Sequence, residues 1–207
     1  MHVVIAGGTG FLGRALNRHL DARGDRVQVL TRRATAPHHV AWTPGQSEGA
    51  WVSAVTAADV VVNLSGEPVD SGRWSAARKA VLVESRVTAT RAIVGALAGA
   101  GKPTALVNAS AVGIYGSRAD EPVDESAGPG SDFLASLCVT WEAEALRAAP
   151  QHRVVLLRTG LVLDAHAGAL SRLLLPFRLG VGGPMGDGRQ YRSEEHTSEL
   201  QSHLNLV

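Results

Sequence analysis

The chain has 207 residues, of which 45% are apolar and 19% are charged, and its formal net charge is +1. Such a length suits one domain of ordinary size, and a nearly neutral charge excludes a general electrostatic attraction to nucleic acid or to anionic lipid. The single cysteine, Cys138, excludes an intramolecular disulfide and a cysteine-rich metal site.

Short apolar runs, each about the length of a buried strand, recur along the chain and are rich in valine, isoleucine and leucine. They are Val3–Ala6, Val27–Leu30, Val60–Asn63, Ala105–Asn108 and Val154–Leu157. Helical spacing of apolar residues predicts the helices Phe11–Arg23, Trp74–Leu97, Phe133–Ala149 and Ala169–Leu179, and Arg118–Gly130 is predicted to be a loop. Strands that alternate with helices predict an α/β, Rossmann-type doubly wound, mostly parallel sheet with helices on both faces.

The strongest chemical signal is a glycine-rich turn, Gly7–Gly13, between the first strand and the first helix. Its glycines follow the spacing G-x-x-G-x-x-G, which lets the backbone approach a pyrophosphate at the positive end of a helix. We therefore predict that the turn binds the phosphates of a dinucleotide. The residues concerned are Gly7, Thr9, Gly10, Phe11, Leu12 and Gly13. The alternative is a turn that uses glycine only for its conformational freedom.

The end of the second strand, Thr31-Arg32-Arg33, indicates the type of dinucleotide. An acidic residue there would bind a ribose 2′-hydroxyl, whereas an arginine accommodates a 2′-phosphate. Since two guanidinium groups and no carboxylate stand at this edge, NADP(H) is preferred over NAD(H). The alternative is that both arginines are solvated loop residues.

Further motifs follow in order, and together with the glycine turn the matching features span residues 3 to 190. They are Asn63–Pro68, Arg73-Trp74, Ser85–Val87 with Thr90, Asn108–Gly116, Asp124-Glu125, Trp141-Glu142 and Gly186–Gln190. With the glycine turn, they resemble the atypical extended short-chain dehydrogenase/reductases of the NAD-dependent epimerase family whose substrate is unassigned.

The resemblance implies positions for several side chains around a bound cofactor. Asn63, Leu64, Ser65 and Gly66 would lie near the adenine and ribose, and Ser110 would end the strand that faces the nicotinamide. Arg86 takes a position where extended relatives have an asparagine close to the active site. The alternatives are a strand-end turn for Asn63, an ordinary hydroxyl for Ser110 and a solvated helix face for Arg86.

The larger superfamily reacts through a tyrosine and a lysine at Y-x-x-x-K, and this chain departs from that pattern. In the register set by Glu142, Leu134 and Cys138 take the two positions. Leucine has no proton to give, and a neutral thiol does not supply a fixed positive charge. The candidate catalytic residues are therefore Ser110, which would orient the reacting oxygen, and Tyr115, the nearest phenol. The alternative for Tyr115 is a role in lining or packing the pocket.

The leading hypothesis is an NADP(H)-dependent oxidoreductase or epimerase-like enzyme that acts on a small polar metabolite. The alternatives are a non-catalytic NADP(H)-binding protein and an inactive fragment. The segment Arg192–His203 resembles the in-frame translation of a widely used sequencing adapter. We expect residues 1–191 to be a Rossmann domain that is incomplete at its carboxyl end, with the substrate lobe largely missing, and 192–207 to be a non-native tail, the alternative being a genuine polar tail.

Other classes of partner are not indicated by the sequence. No metal site is predicted, because His38 and His39 are adjacent in a predicted loop without a carboxylate cluster. The dispersed tryptophans suggest packing and not a nucleic-acid platform. Without a signal-peptide pattern or a long apolar span, we expect a cytoplasmic protein whose partner is a small-molecule substrate of unknown identity, in an unknown oligomeric state.

Overall fold

The computed structural model describes residues 1–164, 168–183 and 194–196. The strands are β1 His2–Ala6, β2 Arg26–Thr31, β3 His39–Ala41, β4 Val60–Asn63, β5 Ala105–Ala111, β6 Arg153–Thr159, β7 Leu161–Asp164 and β8 Glu194–His196. The helices are α1 Phe11–Ala22, α2 Ala50–Ala57, α3 Ala76–Leu97, α4 Phe133–Leu146 and α5 Gly168–Arg178, and Val112–Tyr115 forms a 3-10 turn.

Within the described residues, six parallel strands form one sheet in the order β3-β2-β1-β4-β5-β6. The direction of strand addition reverses between β1 and β4, which is where open sheets of this kind bind ligands at the carboxyl ends of their strands. Ala6 pairs with Leu30 on one side and with Asn63 on the other. The residues that follow β1, β2 and β4 are therefore neighbours at one edge.

Helices cover both faces of the sheet, as the sequence predicts. Alternate strand residues point to opposite faces, so Val4 and Val61 pack with Ile93 of α3, while Ile5 and Val62 pack with α1. Because every residue of β1 from Val3 to Ala6 and all of β4 is buried, the strands read as continuous apolar runs. The predicted fold class is confirmed.

Several element boundaries differ from the predicted ones. Helix α3 begins at Ala76 and not at Trp74, because the Ser75 hydroxyl caps it by accepting a hydrogen bond from the Arg78 backbone N–H at 3.2 Å. Helix α4 ends at Leu146 and not at Ala149.

Besides the 3-10 turn, four elements were not predicted: the strands β3, β7 and β8 and the helix α2. Strand β3 has three residues, which is too short to show alternation, and the prediction of a loop at His39 was wrong because that residue begins β3. Helix α2 has apolar residues on most of its surface, so it lacks a polar face that would reveal its period.

Strands β7 and β8 lie outside the main sheet. They pair in parallel, Leu161 with Glu194 and Leu163 with His196. Strand β8 falls in the segment that the sequence analysis assigned to a tail. In the described parts of the chain, no helix is both long and apolar enough to cross a membrane.

The packing of α1 on the glycine turn leads to a stability prediction. A Cβ atom at Gly13 would lie 2.4 Å from the Gly8 Cα and 2.5 Å from the Gly7 carbonyl oxygen. Since backbone atoms cannot turn aside, we expect Gly13→Ala to lower the free energy of unfolding by about 1–3 kcal/mol, as for other overpacked sites. Urea denaturation measures this change.

Gly95→Ala is the matched control, because Gly95 is also helical but a Cβ there would meet no atom within 4 Å. We expect it to raise the free energy of unfolding by up to about 1 kcal/mol, the difference in helix propensity between glycine and alanine. Equal stability of Gly13→Ala and the unchanged chain would contradict the close packing of α1 on the turn.

Candidate functional site

The glycine turn joins β1 to α1 and presents backbone N–H groups at the sheet edge. Gly7 has a φ of 78°, and a Cβ there would lie 2.7 Å from the Leu64 carbonyl oxygen. Gly10 is the N-cap of α1. As a glycine it has no side chain to accept hydrogen bonds from the first amides of the helix, so these amides keep their free N–H groups. Thr9 and Gly10 are exposed. The turn thus fits an anionic group such as a phosphate.

A cavity of about 550 Å³ extends from this turn along the carboxyl ends of β1, β2 and β4 to α3. Eight of the predicted cofactor residues line it: Gly7, Thr9, Gly10, Thr31, Arg32, Leu64, Ser65 and Gly66. The lining residues that the sequence analysis did not assign to the cofactor are Leu30, Trp42, Pro44, Glu67, Pro68, Val81, Glu84, Ser85 and Thr88. Predicted residues outside the lining are Phe11, Leu12, Gly13, Arg33, Asn63 and Arg86.

The two arginines after β2 differ in position. Both are exposed, but Arg32 lines the cavity and Arg33 does not. The Thr31 hydroxyl accepts a hydrogen bond from the Arg33 backbone N–H at 3.2 Å, and this bond shapes the turn from Thr31 to Arg33. Arg32 is therefore the better placed of the two to meet a 2′-phosphate.

Asn63 lies beneath the cavity and does not line it. Its amide Nδ2 donates to Thr90 Oγ1 at 2.9 Å and to Asn108 Oδ1 at 2.7 Å, and its Oδ1 accepts from the Ser65 backbone N–H at 3.1 Å. Trp141 Nε1 donates to the same Thr90 oxygen at 2.9 Å. Asn63 is fully buried, so it positions the Leu64–Gly66 loop and does not face a ligand.

Arg86 lies beneath the same loop. Its guanidinium donates to the carbonyl oxygens of Leu82 at 2.9 Å and Glu67 at 3.1 Å, and it lies 5.1 Å from the ring of Trp141. Burial lowers the pKa of Arg86 below its ordinary value. A Cβ at Gly66 would come within 3.0 Å of Arg86 Cζ, so the guanidinium supports the backbone of the cavity wall.

Two buried polar atoms on residues that line the cavity have no hydrogen-bond partner within the described chain. They are Trp42 Nε1 and Ser65 Oγ. Buried polar groups are nearly always satisfied by protein, water or ligand. Unpartnered polar atoms beside a turn that fits phosphate agree with a polar nucleotide as the occupant of this cavity.

The predicted catalytic residues belong to a second cluster, between β5, β6 and α4. Ser110 is buried and donates to Glu142 Oε1 at 2.6 Å. Arg158 of β6 donates to both Glu142 carboxylate oxygens at 2.8 Å and to the Tyr115 hydroxyl oxygen at 2.9 Å. Sequence reasoning did not select Arg158, and the only signal available was its place at the carboxyl end of an apolar run.

Glu142 and Arg158 of this cluster hold each other in their charged forms. Burial raises the pKa of Glu142, but hydrogen bonds from Arg158 and Ser110 outweigh burial and hold that pKa below its ordinary value. The hydrogen bond to Glu142 also raises the pKa of Arg158. Glu142 and Arg158 therefore form an ion pair at neutral pH.

Hydrogen bonding distinguishes the two predicted catalytic hydroxyls. Ser110 donates its proton to Glu142, so it could give a proton to a substrate oxygen only if that bond broke. Tyr115 accepts from Arg158, which leaves its own proton directed away from the guanidinium. Leu134 packs beside Gly113, and burial raises the pKa of the Cys138 thiol.

Comparisons with known proteins agree with this fold. The model of the NAD dependent epimerase/dehydratase family matches residues 3–193. An epimerase family protein of Mycobacterium bovis, Mb2239, is 45% identical over 194 residues, which cover 92% of this chain and 64% of that protein. The chain thus spans just under two thirds of the length of this relative.

Two solved structures share this fold. The human epimerase family protein SDR39U1 with NADPH superposes with a TM-score of 0.86 at 32% identity, covering 99% of this chain and 69% of the human one. A nucleoside-diphosphate sugar epimerase of Corynebacterium glutamicum gives 0.83 at 33% identity, covering 98% of this chain and 42% of that one. This chain belongs to the NAD dependent epimerase/dehydratase family.

Proposed function

We propose that the chain is the cofactor-binding part of an NADP(H)-dependent oxidoreductase or epimerase-like enzyme that acts on a small polar metabolite. The observation that carries the proposal is the cavity between the uncapped start of α1 and Arg32, at the point where strand order reverses. The relative that was solved with NADPH supports the same cofactor.

Within this proposal, the exposed amides of the glycine turn hold the pyrophosphate and Arg32 holds the 2′-phosphate. A bound nicotinamide supplies the hydride chemistry. Arg33 follows Arg32 in the chain but does not line the cavity, so it contributes only a long-range electrostatic attraction to the phosphate. The preference for NADP(H) over NAD(H) then depends on one guanidinium.

Tyr115 is the proton donor or acceptor in the same proposal. The phenol oxygen already accepts from Arg158, so a guanidinium stands beside it as the lysine does in the usual pair. Ser110 and Glu142 act as positioning residues that orient Arg158. The proton that reaches a substrate oxygen would come from the Tyr115 hydroxyl.

A non-catalytic NADP(H)-binding protein is the second candidate. It is favoured by Leu134, which has no proton to give, and by Cys138, whose neutral thiol supplies no fixed positive charge, where the superfamily has tyrosine and lysine. The two candidates differ in turnover and not in cofactor affinity.

The cofactor preference is tested with Arg32→Ala. We expect the dissociation constant for NADPH to rise by about tenfold or more, because charge-assisted hydrogen bonds to phosphate are lost, while that for NADH stays the same. Cofactor fluorescence titration measures both constants. Arg33→Ala is the control and should change NADPH affinity much less.

An unchanged chain that binds NADH as tightly as NADPH would contradict the preference. If instead Arg33→Ala weakens NADPH more than Arg32→Ala does, the phosphate has been assigned to the wrong arginine.

The role of Tyr115 is tested with Tyr115→Phe, which removes the hydroxyl and keeps the ring. We expect turnover to fall by about a hundredfold or more, in line with the loss of a general acid, at unchanged NADPH affinity. NADPH oxidation with a panel of carbonyl compounds and nucleotide sugars measures turnover. Tight NADPH binding without turnover of any compound by the unchanged chain would favour the non-catalytic candidate, and full activity of the variant would refute the role of Tyr115.

A further inference from the structure

We propose that Trp42 recognises the base of the cofactor, its indole N–H donating a hydrogen bond to a ring nitrogen of adenine. This inference rests on the proposed function, in which the cavity binds NADP(H). It assigns a specificity-determining contact to Trp42, whereas the sequence analysis expected the tryptophans to serve packing.

Trp42 stands at the same edge of the sheet as the residues that would meet the ribose. It follows β3, and its backbone N–H donates to the Thr31 carbonyl oxygen at 2.9 Å. Its ring lies 5.9 Å from the ring of Trp51, which supports it from the core. The side chain is only 5% exposed and still lines the cavity.

The indole nitrogens of the four tryptophans show why Trp42 differs. Trp51 Nε1 donates to the Glu48 carbonyl oxygen at 3.0 Å, Trp74 Nε1 to the Val69 carbonyl oxygen at 2.8 Å, and Trp141 Nε1 to Thr90 Oγ1. Trp42 Nε1 is buried and has no acceptor in the described chain. A buried tryptophan N–H usually finds a partner, and in this proposal the acceptor is supplied by the ligand that fills the cavity.

The surroundings of Trp42 fit a base better than a phosphate. Leu30, Pro44 and Leu64 line the cavity with it and provide apolar surface for the faces of a purine. A phosphate needs charged or free N–H donors, which the cavity offers at Arg32 and at the glycine turn. The nitrogen is shielded from solvent without a ligand, so the indole must turn slightly toward the base when the cofactor binds.

Trp42→Phe tests the contact, because it keeps an aromatic ring and removes the N–H. We expect the dissociation constants for NADPH and NADH to rise by the same factor of about five to ten, the effect of losing one neutral hydrogen bond. Trp74→Phe is the matched control, because its N–H bonds to the Val69 carbonyl oxygen and Trp74 neither lines this cavity nor packs on Trp42. It should leave both constants unchanged.

A second measurement uses the unchanged sequence and does not depend on whether Trp42→Phe folds. Tryptophan labelled with 15N at the indole nitrogen gives four indole N–H signals, and the Trp51, Trp74 and Trp141 signals are identified from their phenylalanine variants. We expect NADPH, and also 2′-phospho-ADP-ribose without the nicotinamide, to move the Trp42 proton signal downfield by more than the other three.

Each other outcome overturns a distinct part of the argument. Loss of NADPH affinity alone in Trp42→Phe would place the donor on the 2′-phosphate and refute the assignment to adenine. Unchanged affinity, or an unmoved Trp42 signal while NADPH binds, refutes the inference and leaves the proposed function standing. No binding of NADPH by the unchanged chain overturns the proposed function and this inference with it.

Discussion

The backbone contact between α1 and the turn that precedes it determines where everything else at the site can lie. Gly13 lies so close to Gly7 and Gly8 that a single methyl group would overlap main-chain atoms. This approach brings the first turn of α1 against the carboxyl end of β1, and Gly7 in turn leaves no space between itself and the Leu64 carbonyl. Both walls of the cavity are therefore fixed by main chain, which side-chain motion cannot displace.

A buried polar network extends this constraint from the cavity to the second cluster. Asn63 joins β4 to β5 through Asn108 and to α3 through Thr90, and Thr90 also accepts from Trp141 of α4. Glu142 follows Trp141, so the helix that carries this carboxylate is tied to the end of β4, where Asn63 positions the Leu64–Gly66 loop. Since each buried donor in this chain of contacts would cost free energy if left unpaired, the two regions keep one relative position.

The sequence predicts those parts of the fold whose cause is local. The glycine spacing predicts the turn because a close backbone approach requires glycine there, and apolar runs predict β1 and β4 because both faces are buried. Trp42 could not be found in this way, since it follows a three-residue strand whose place beside Thr31 is set by a long-range backbone bond. Arg158 and Tyr115 are 43 residues apart and meet only because β6 pairs with β5. Arg86 reads like a surface residue, and only the packing of α3 on α4 shows that it is buried.

The ion pair of Glu142 with Arg158 has a structural role whatever chemistry the site performs. Both Glu142 oxygens are bonded to the guanidinium in a mostly buried place, and removing one member of such a pair costs about 3–5 kcal/mol because the other charge is left without a partner. Loss of activity on replacing either residue would thus not distinguish catalysis from folding. Tyr115 is different, because its hydroxyl contributes one hydrogen bond at the edge of the pair and is only partly buried. Within the proposed function, the test of catalysis therefore falls on Tyr115, because its hydroxyl can be removed without removing the charges that hold this cluster together.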